Sequence, residues 1–355
     1  MNVRTTGVTA DDIVHSIEMI LGRTPDQALV DYHLGLGFPD RFALGEYMLS
    51  TQEFQDRYVS GVATGNQPAQ FWEARAHAAE IRRKRLKAFG PNARGVLAST
   101  VHGLFAVDPE DGYIASSLLH HGHYSSDELS FDLSLIDPSS EVLIVGTHIG
   151  SLAIPLARQC AHLTALEANP QTFELLQANV RLSGADNITL HHAVAGDTDG
   201  KLVQFVMNRD NSGGSKIMPK LKSEGPEGYL YDNPAVVELP TARIDTLLGD
   251  RGFDLIIMDI EGSEVFALRG MPRILQSSRM LAVEFRPHSL SEVAGLGVDA
   301  FIEVVTPYFE WLYVPGNDVI GRQDIPDRLH GIFDAGTCYD AIYFFKEPPT
   351  GLQVR

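Results

Sequence analysis

The chain has 355 residues, of which 44% are hydrophobic and 21% are charged, with 32 glycines and 19 prolines. This ordinary globular mixture excludes a collagenous, coiled-coil or wholly disordered chain. The 46 acidic residues outnumber the 28 lysines and arginines, so the formal net charge is -18 and nucleic acid is disfavoured as a partner.

The cysteine content and the apolar runs bear on the compartment. Two cysteines, Cys160 and Cys338, cannot build a disulfide framework, and one pair in a chain of this size says little about the compartment, so a reducing cytosol is the default expectation. The first twelve residues, MNVRTTGVTADD, lack the apolar stretch of a secretory signal. The longest apolar runs, such as 255–258, fall far below the roughly 18 residues of a membrane span. We therefore expect a cytoplasmic protein with no membrane contact.

Residues 1–62 are predicted to form a small helical module. Thr9 precedes Asp12, and apolar residues then recur at helical spacing up to Leu21, so Thr9 is the expected N-cap. Gly22 is expected to end this first helix.

Two shorter helices are predicted at 27–34 and 42–50. The strings LGRTPD (21–26) and YMLSTQEF (47–54) resemble a short helical module that recurs in bacterial glycan-processing and repeat-containing proteins. The resemblance implies a scaffold or docking role, toward another protein or a second copy of the chain.

Residues 63–111 are predicted to be a linker followed by a helix. The stretch 61–68 has the composition of a linker, and 68–89 carries apolar residues at helical spacing. The basic run 82–87 lies where cations complement the helix dipole. Binding of an anionic lipid or nucleic acid by this run is the disfavoured alternative.

Residues 112–355 are predicted to form one α/β domain, because short apolar runs alternate there with helical stretches. The predicted buried strands are 141–146, 163–167, 187–194, 253–260 and 279–285, and helices at 151–160 and 171–183 separate the first three. Such strands predict a parallel sheet covered on both faces. Residues 339–346 are predicted to close it as an antiparallel strand beside 311–314.

The carboxyl ends of parallel strands are where ligands bind in an open sheet. The first strand ends in a turn bracketed by Gly146 and Gly150, which lets a ligand approach the backbone. The second strand ends in Glu167, 21 residues after Gly146. An acid at about this separation along the chain accepts hydrogen bonds from both ribose hydroxyls in nucleotide-binding sheets. The alternative is a solvated carboxylate before Asn169. GxxxG spacing, rather than GxGxxG, leaves a nicotinamide-dependent oxidoreductase as the weaker hypothesis.

The later strands end in acidic residues. Alternation places Asp259 and Glu261 on one side of the chain, where carboxylates usually recognise a cation, hydroxyl or amine, or transfer a proton. The alternative is an N-cap plus a surface acid. Glu284, Arg286 and His288 follow the next strand, and a histidine there can act as a base near neutral pH or be incidental.

A long connection, 208–233, joins two segments that alternate like a β-pair, 201–207 and 235–240. A loop of this length is functional or disordered, and its position predicts a lid or an acceptor-recognition loop. Its lysines, at positions 216, 220 and 222, suit either an anionic acceptor or simple solvation.

Several motifs in order resemble the FkbM-type family of S-adenosylmethionine-dependent methyltransferases, over about residues 112–346. They are GYIASSLLHHGHYSSDE, VLIVGTHIG, LEANPQTFELLQANV, HHAVAGDTDG, RIDTLLGDRGFDLIIMDIEGSEVFALRG and VEFRPH. The resemblance implies a Rossmann-like class I methyltransferase sheet, mostly parallel with an antiparallel last strand, plus the small N-terminal helical domain.

The resemblance also implies how S-adenosylmethionine is held. Gly146 and Gly150 would line its methionine part, Glu167 would hold the ribose hydroxyls, and Ala193 would flank the adenine. The segment around Tyr124 and Glu128 resembles the one that covers the cofactor.

Further contacts follow from the same resemblance. His148 and Asn169, which lie after the first two strands, are added to the predicted cofactor contacts. Asp259 and Glu261 match the carboxylates of the family's DVEG signature, and Asp259 is predicted to contact both the cofactor and the reacting groups.

The chain departs from the family pattern at several positions. Ile144 stands where the family usually has an acid, His148 where it has Asn, and Ile257 where it often has Lys. Pro155 should distort the first helix of the sheet domain. Because the missing acid would anchor the amino-acid end of the cofactor, a catalytically inactive binding or scaffold protein is the alternative hypothesis.

The predicted function is methyl transfer to the hydroxyl oxygen of a small molecule, a sugar or a natural product. Alignment of donor and acceptor is the main task of the protein. Proton removal is assigned to Asp259, Glu261 or His288, directly or with a divalent cation such as Mg²⁺. No metal ligands are assigned, because the HHGH run at 120–123 has no companion ligand set.

Overall fold

The computed structural model describes residues 8–21, 25–38, 44, 47–48, 84, 87–90, 92–209, 211–220, 234–317 and 319–349. The described residues up to Met48 lie in one compact unit, and those from Lys84 onward lie in another. Three predictions fall wholly or mostly outside the described residues: the helix at 42–50, the linker at 61–68 and the helix at 68–89.

Two helices, α1 (Ala10–Leu21) and α2 (Gln27–Gly35), belong to the N-terminal unit. The side chain of Thr9 accepts a hydrogen bond from the Asp12 amide at 3.3 Å, and the Asp12 carboxylate accepts one from the Thr9 amide at 2.9 Å. This reciprocal arrangement is a capping box, so the predicted N-cap is confirmed. The buried apolar side chains of the unit are Ile13, Ile17, Val30, Leu44 and Met48.

The larger unit alternates strands and helices along most of its length. In chain order its elements are β1 (Val96–Thr100), β2 (Gly103–Val107), α3 (Ile114–His121), α4 (Ser126–Ser134), β3 (Glu141–Val145), α5 (Ala153–Ala157), β4 (His162–Glu167), α6 (Pro170–Ser183), β5 (Ile188–His192), β6 (Val194–Ala195), β7 (Leu202–Met207), β8 (Lys216–Ile217), β9 (Ala235–Ala242), α7 (Ile244–Leu248), β10 (Leu255–Met258), α8 (Glu264–Arg269), α9 (Pro272–Ser277), β11 (Met280–Phe285), α10 (Pro287–Glu292), α11 (Val298–Val305), β12 (Trp311–Tyr313), β13 (Ile320–Gly321), α12 (Ile325–Asp334) and β14 (Tyr339–Phe345). None of the described helices is long and apolar enough to cross a membrane.

The central sheet has the strand order β13-β12-β14-β11-β10-β3-β4-β5. The run from β11 to β5 is parallel, whereas β14 pairs antiparallel with both β11 and β12. The predicted class, a mostly parallel sheet with an antiparallel last strand, is therefore confirmed. The predicted strand 187–194 is divided, because β6 leaves the central sheet to pair with β9.

A second, smaller sheet has the order β6-β9-β7-β8. Strands β7 and β9 pair antiparallel from Leu202 opposite Pro240 to Met207 opposite Ala235, which confirms the predicted β-pair. Strand β8 lies within the predicted lid loop and pairs with the end of β7.

Alternation along the strands divides the core of the large unit between the two faces of the central sheet. Leu143 and Val145 of β3 pack into one apolar cluster, and Val142 and Ile144 pack into the other. Because both faces are covered, the strands are apolar at nearly every position, as their sequences predicted.

The first helix of the sheet, α5, is shorter than predicted and spans only five residues. Pro155 lies inside it, and a proline has no amide hydrogen for the helical bond. The amide of Arg158 donates to the carbonyl of Pro155 at 3.3 Å, where the helix has ended.

The hairpin of β1 and β2 packs beside α6, in a segment for which the sequence indicated no strand. The side-chain amide of Asn179 accepts from the amide of Ala106 at 2.6 Å and donates to its carbonyl at 3.0 Å. The same side chain donates to the carbonyl of Ile149 at 2.9 Å. One buried asparagine thus ties the hairpin to the loop after β3.

The order of the strands along the chain creates a crevice at one edge of the sheet. Strands β3, β4 and β5 follow one another outward from the middle of the sheet, whereas β10 and β11 lie on the other side of β3. The connections that leave β3 and β10 therefore diverge at the carboxyl edge, which is where such sheets bind ligands.

Asp132 of α4 is a fully buried acid outside this crevice. Its Oδ1 accepts a hydrogen bond from the Tyr343 hydroxyl at 3.1 Å, and its Oδ2 has no partner in the described parts of the chain. Burial, followed by the nearby Glu128 carboxylate, raises the pKa of Asp132 to about 8.

This raised pKa predicts a pH-dependent loss of stability that Asp132→Asn removes. The folded protein keeps a proton that the unfolded chain releases near pH 4, so the free energy of unfolding falls as pH rises from about 4 to about 8. The free energy of unfolding of the variant, minus that of wild type, should therefore rise by roughly 1–3 kcal/mol from pH 5 to pH 8. Urea unfolding of both proteins at each pH measures this. An equal difference at both pH values would contradict the assignment.

Candidate active site

A cavity of about 380 Å³ opens at the carboxyl ends of β3, β4 and β10. Seven of the predicted site residues line it, namely Tyr124, Gly146, His148, Glu167, Ala193, Asp259 and Glu261. Three others that the structure describes, Gly150, Asn169 and His288, are not among its lining residues. The strand-end positions selected from the sequence therefore surround one concave space.

Gly146 occupies the narrowest point of the crevice. Its φ is +90°, and an added Cβ would lie 1.8 Å from the carbonyl oxygen of Asp259. The amides of Gly146 and Thr147 both donate to the carbonyl of Leu166 at 3.0 Å, and the amide of Asp259 donates to the carbonyl of Val145 at 3.0 Å. The turns after three strands are thus held together by backbone contacts that exclude any side chain at position 146.

Gly150 has a different role from the predicted one of lining the cofactor site. Its φ is +91°, and an added Cβ would lie 3.0 Å from the side chain of Leu176 on α6. The second glycine of the turn therefore permits close packing of the turn against a helix.

Glu167 ends β4 with its carboxylate fixed by backbone groups. The amide of His148 donates to Oε2 at 2.8 Å and the amide of Asn169 donates to Oε1 at 2.7 Å. Burial raises the pKa of this carboxyl group, and the amide donors oppose that rise. Each carboxylate oxygen retains a further lone pair with which it can accept from a ligand hydroxyl.

Asn169 supports this arrangement from outside the cavity. Its side-chain oxygen accepts from the amide of Gln171 at 3.0 Å, so it caps α6. Its side-chain nitrogen donates to the hydroxyl of Ser215 at 3.2 Å. The residue predicted as a cofactor contact thus joins β4 to the loop that follows β7.

A hydrogen-bonded chain that the sequence analysis missed holds His148. Ser212 donates to Asp111 Oδ2 through its hydroxyl at 2.6 Å and through its amide at 2.8 Å. The Ser212 oxygen then accepts from His148 Nε2 at 2.7 Å, which leaves Nδ1 as the unprotonated ring nitrogen when the histidine is neutral. Burial lowers the pKa of His148, which favours that neutral form.

One signal in the sequence could have identified Asp111. Its Oδ1 accepts from the amides of Tyr113 and Ala115 at 2.9 and 3.1 Å, so it caps the start of α3. An aspartate just before a helical pattern is a recognisable cap. Ser212 carries no comparable signal, because its partners are distant in the chain.

The acidic residues at the ends of β10 and β11 lie close together, and two of them, Asp259 and Glu261, line the cavity. One carboxylate oxygen from each of Asp259, Glu261 and Glu284 lies within 4.8 Å of the other two. Burial, and then repulsion from neighbouring carboxylates, raises the pKa of Asp259 and of Glu284 well above the usual range. Glu264 has a structural role, since its Oε1 accepts from the amides of Ile260 and Gly262.

Two cationic side chains partly balance this acidic cluster. Lys216 is only 1% exposed, and its Nζ donates to Glu261 Oε2 at 2.8 Å. Arg286 pairs through Nε with Glu284 Oε1, and through a terminal nitrogen with Asp340 at 2.9 Å. Glu261 itself has a φ of +57°, a conformation that a non-glycine residue adopts only when its surroundings impose it.

Neither role that the sequence suggested for the loop lysines applies to Lys216. It is neither solvated nor exposed to an anionic acceptor, because it is buried against Glu261. Lys220 donates to the carbonyl of Ala294 at 2.6 Å and lies over the ring of Phe266. Lys222 lies outside the described residues.

His288 lies in the first turn of α10, away from the lining of the cavity. Strand β11 ends at Phe285, and Pro287 already begins the helix. The Nδ1 atom of His288 lies 3.5 Å from the sulfur of Cys338. Its assignment as a base stays a prediction, whereas Asp259 and Glu261 line the cavity directly.

A second cavity, of about 280 Å³, shares two wall residues, Ile217 and Ser263, with the first. Five of its other ten wall residues are polar or charged, but most of the accessible wall surface is apolar, with Val203, Phe266 and Val293 among the contributors. The space beside the acidic cluster therefore continues into an apolar region.

Residues 145–310 match the sequence model of the methyltransferase FkbM domain. The matched segment starts at the end of β3 and includes Gly146, Glu167 and the acidic cluster. The family resemblance seen in the sequence is confirmed over these residues. A search of curated proteins found no match.

Several solved structures have a similar course of the chain. The FkbM methyltransferase from Methylobacillus flagellatus KT is 20% identical, with 59% of this chain and 44% of that chain covered and a TM-score of 0.35. The present chain thus spans less than half of that protein. M. jannaschii TYW2, solved with AdoMet, is 12% identical, with 72% and 86% covered and a TM-score of 0.35. A TehB-like SAM-dependent methyltransferase from Corynebacterium glutamicum is 11% identical, with 66% and 94% covered and a TM-score of 0.36.

The contact at Gly146 predicts a large loss of stability in Gly146→Ala. Gly184→Ala is the matched control, because Gly184 also has a positive φ of +69° but has no atom within 4 Å of an added Cβ. The control should lose about 1 kcal/mol from backbone strain alone. Gly146→Ala should lose at least about 2 kcal/mol more, from overlap with the Asp259 carbonyl. Denaturant unfolding measures both, and equal losses would contradict the close contact.

Proposed function

We propose that this chain is a cytoplasmic S-adenosylmethionine-dependent methyltransferase that methylates a hydroxyl oxygen of a small-molecule, sugar or natural-product acceptor. The match to the methyltransferase FkbM domain supports methyl transfer. The observation that carries the proposal is the cavity at the strand ends, in which the Glu167 carboxylate is held by two backbone amides beside Gly146. The net charge of -18 supports a small acceptor rather than a nucleic acid.

The residues present fit such a cofactor. Glu167 would accept from the ribose hydroxyls through its remaining lone pairs. Gly146 contributes only backbone atoms to the cavity wall, beside which the amino-acid end would lie, and the small side chain of Ala193 would leave room for the adenine. His148 Nδ1 is a buried acceptor with no hydrogen-bond partner among the described residues, and it is available to a ligand donor.

The bound cofactor supplies an activated methyl group on a sulfonium centre. The chain itself aligns the acceptor and removes its proton as the new carbon–oxygen bond forms. Asp259 suits the role of base best, because it opens into the cavity and its pKa is raised by burial and by Glu261. Glu261 is less suited, since Lys216 already binds one of its oxygens.

The acceptor site that we propose extends toward the second cavity. Its apolar walls suit an acceptor with an apolar body, whose hydroxyl would approach the acidic cluster near Ser263. The N-terminal helical unit would dock to another protein or to a second copy of the chain.

A binding or scaffold protein without turnover is the second candidate. Ile144, which is 2% exposed in the cavity wall, favours it, because this position offers no charge to the amino-acid end of the cofactor. An active enzyme converts S-adenosylmethionine to its demethylated product when it is incubated with hydroxyl acceptors, and mass spectrometry distinguishes this from binding alone.

Replacing Glu167 tests the cofactor site. Glu167→Gln should weaken binding of S-adenosylhomocysteine by about 1–3 kcal/mol, or roughly 5- to 150-fold, because it removes a charge-assisted hydrogen bond. The control is Glu174→Gln, the same change at an exposed position on α6. Calorimetric titration of the three proteins measures the affinities. Absence of heat with the wild-type protein would refute the proposal, and equal affinities would remove Glu167 from the site.

A further inference from the structure

Three carboxylates meet at the carboxyl ends of β10 and β11. Asp259 and Glu261 follow β10 and line the cavity, and Glu284 is buried near the end of β11. One oxygen from each of Asp259, Glu261 and Glu284 lies within 4.8 Å of the others. We propose that these three residues bind one divalent cation, with Mg²⁺ as the first candidate. Binding of the ion stands on this geometry alone, and only its role beside the acceptor rests on the proposed methyltransferase function.

Glu284 provides a second observation that points to a ligand. Its side chain is 3% exposed, and Arg286 pairs with Oε1, but Oε2 is buried with no hydrogen-bond partner in the described part of the chain. A buried carboxylate oxygen left without a partner is costly, and proteins normally satisfy it. A cation bound among the three carboxylates would satisfy it directly.

The other two carboxylates also have an oxygen available for the ion. Lys216 binds Oε2 of Glu261, so Oε1 stays available. The Asp259 side chain is exposed within the cavity that it lines. Glu261 and Glu284 therefore each keep one oxygen outside their ion pairs with Lys216 and Arg286.

The local charge also favours a divalent ion. Five carboxylates, those of Asp259, Glu261, Glu264, Glu284 and Asp340, lie around the two cations Lys216 and Arg286. When all seven groups are ionised, three negative charges are left over. One divalent cation reduces this excess to one.

The donor atoms select the type of metal. All three ligands are carboxylate oxygens, which suit Mg²⁺, Mn²⁺ or Ca²⁺ better than the softer metals that prefer sulfur or imidazole. Oxygens that bind one such ion at about 2.0–2.6 Å lie no more than about 5 Å apart. The observed spread of 4.8 Å is within that limit for Ca²⁺, whereas Mg²⁺, which binds oxygen at about 2.0–2.1 Å, would draw the three oxygens to within about 4.2 Å of one another. Beside a hydroxyl acceptor, the ion would lower the pKa of that hydroxyl.

Mn²⁺ is the probe, because electron paramagnetic resonance counts the free ion. The full chain, freed of metal with EDTA and desalted, should bind one Mn²⁺ that Mg²⁺ displaces. Glu284→Gln and Asp259→Asn should each weaken binding at least tenfold, by loss of a ligand charge. Glu141→Gln is the control, since Glu141 is a half-exposed acid paired with Arg251. The affinity of this variant for Mn²⁺ should equal that of wild type.

Two results would overturn the inference. The first is a wild-type chain that binds no stoichiometric Mn²⁺, an outcome that does not depend on whether the variants fold. The second is equal affinity in wild type and in Glu284→Gln with an unchanged circular dichroism spectrum. Titration with S-adenosylhomocysteine in EDTA separates the two proposals, because the nucleoside then binds or fails to bind without any metal.

Discussion

The position of the candidate site depends on one close contact between two turns of the central sheet. Gly146 lies directly against the carbonyl of Asp259, with no space for even a methyl group between them. This contact, together with the hydrogen bonds from the turn to Leu166, brings the ends of β3, β4 and β10 to one point. Glu167, Asp259 and Glu261 line the same cavity as a consequence, although they come from two different strand ends.

The second constraint is electrostatic. An excess of carboxylates is held in a partly buried place, where each ionised group raises the energy of the others. Lys216 and Arg286 reduce that cost without removing it. Burying a lysine in a loop that crosses the cavity also fixes the loop, so Ser212 can hold His148 from the opposite side.

Much of the fold could be predicted because it is encoded locally. Buried parallel strands are apolar at nearly every position, and the residues that follow them, such as Glu167 and Asp259, mark the carboxyl edge. The missed features join residues far apart in the chain. Asp111 and Ser212 are separated by 101 positions, so no local pattern relates them. The burial of Lys216 was likewise unpredictable, because lysines in a Gly- and Ser-rich loop are usually solvated.

A crystal structure of the chain with S-adenosylhomocysteine tests the central claim most directly. The account predicts density for the nucleoside in the cavity, with both ribose hydroxyls on the carboxylate of Glu167 and the amino-acid end beside Gly146. A nucleoside bound elsewhere on the chain, or a complex whose ribose makes no contact with Glu167, would contradict it.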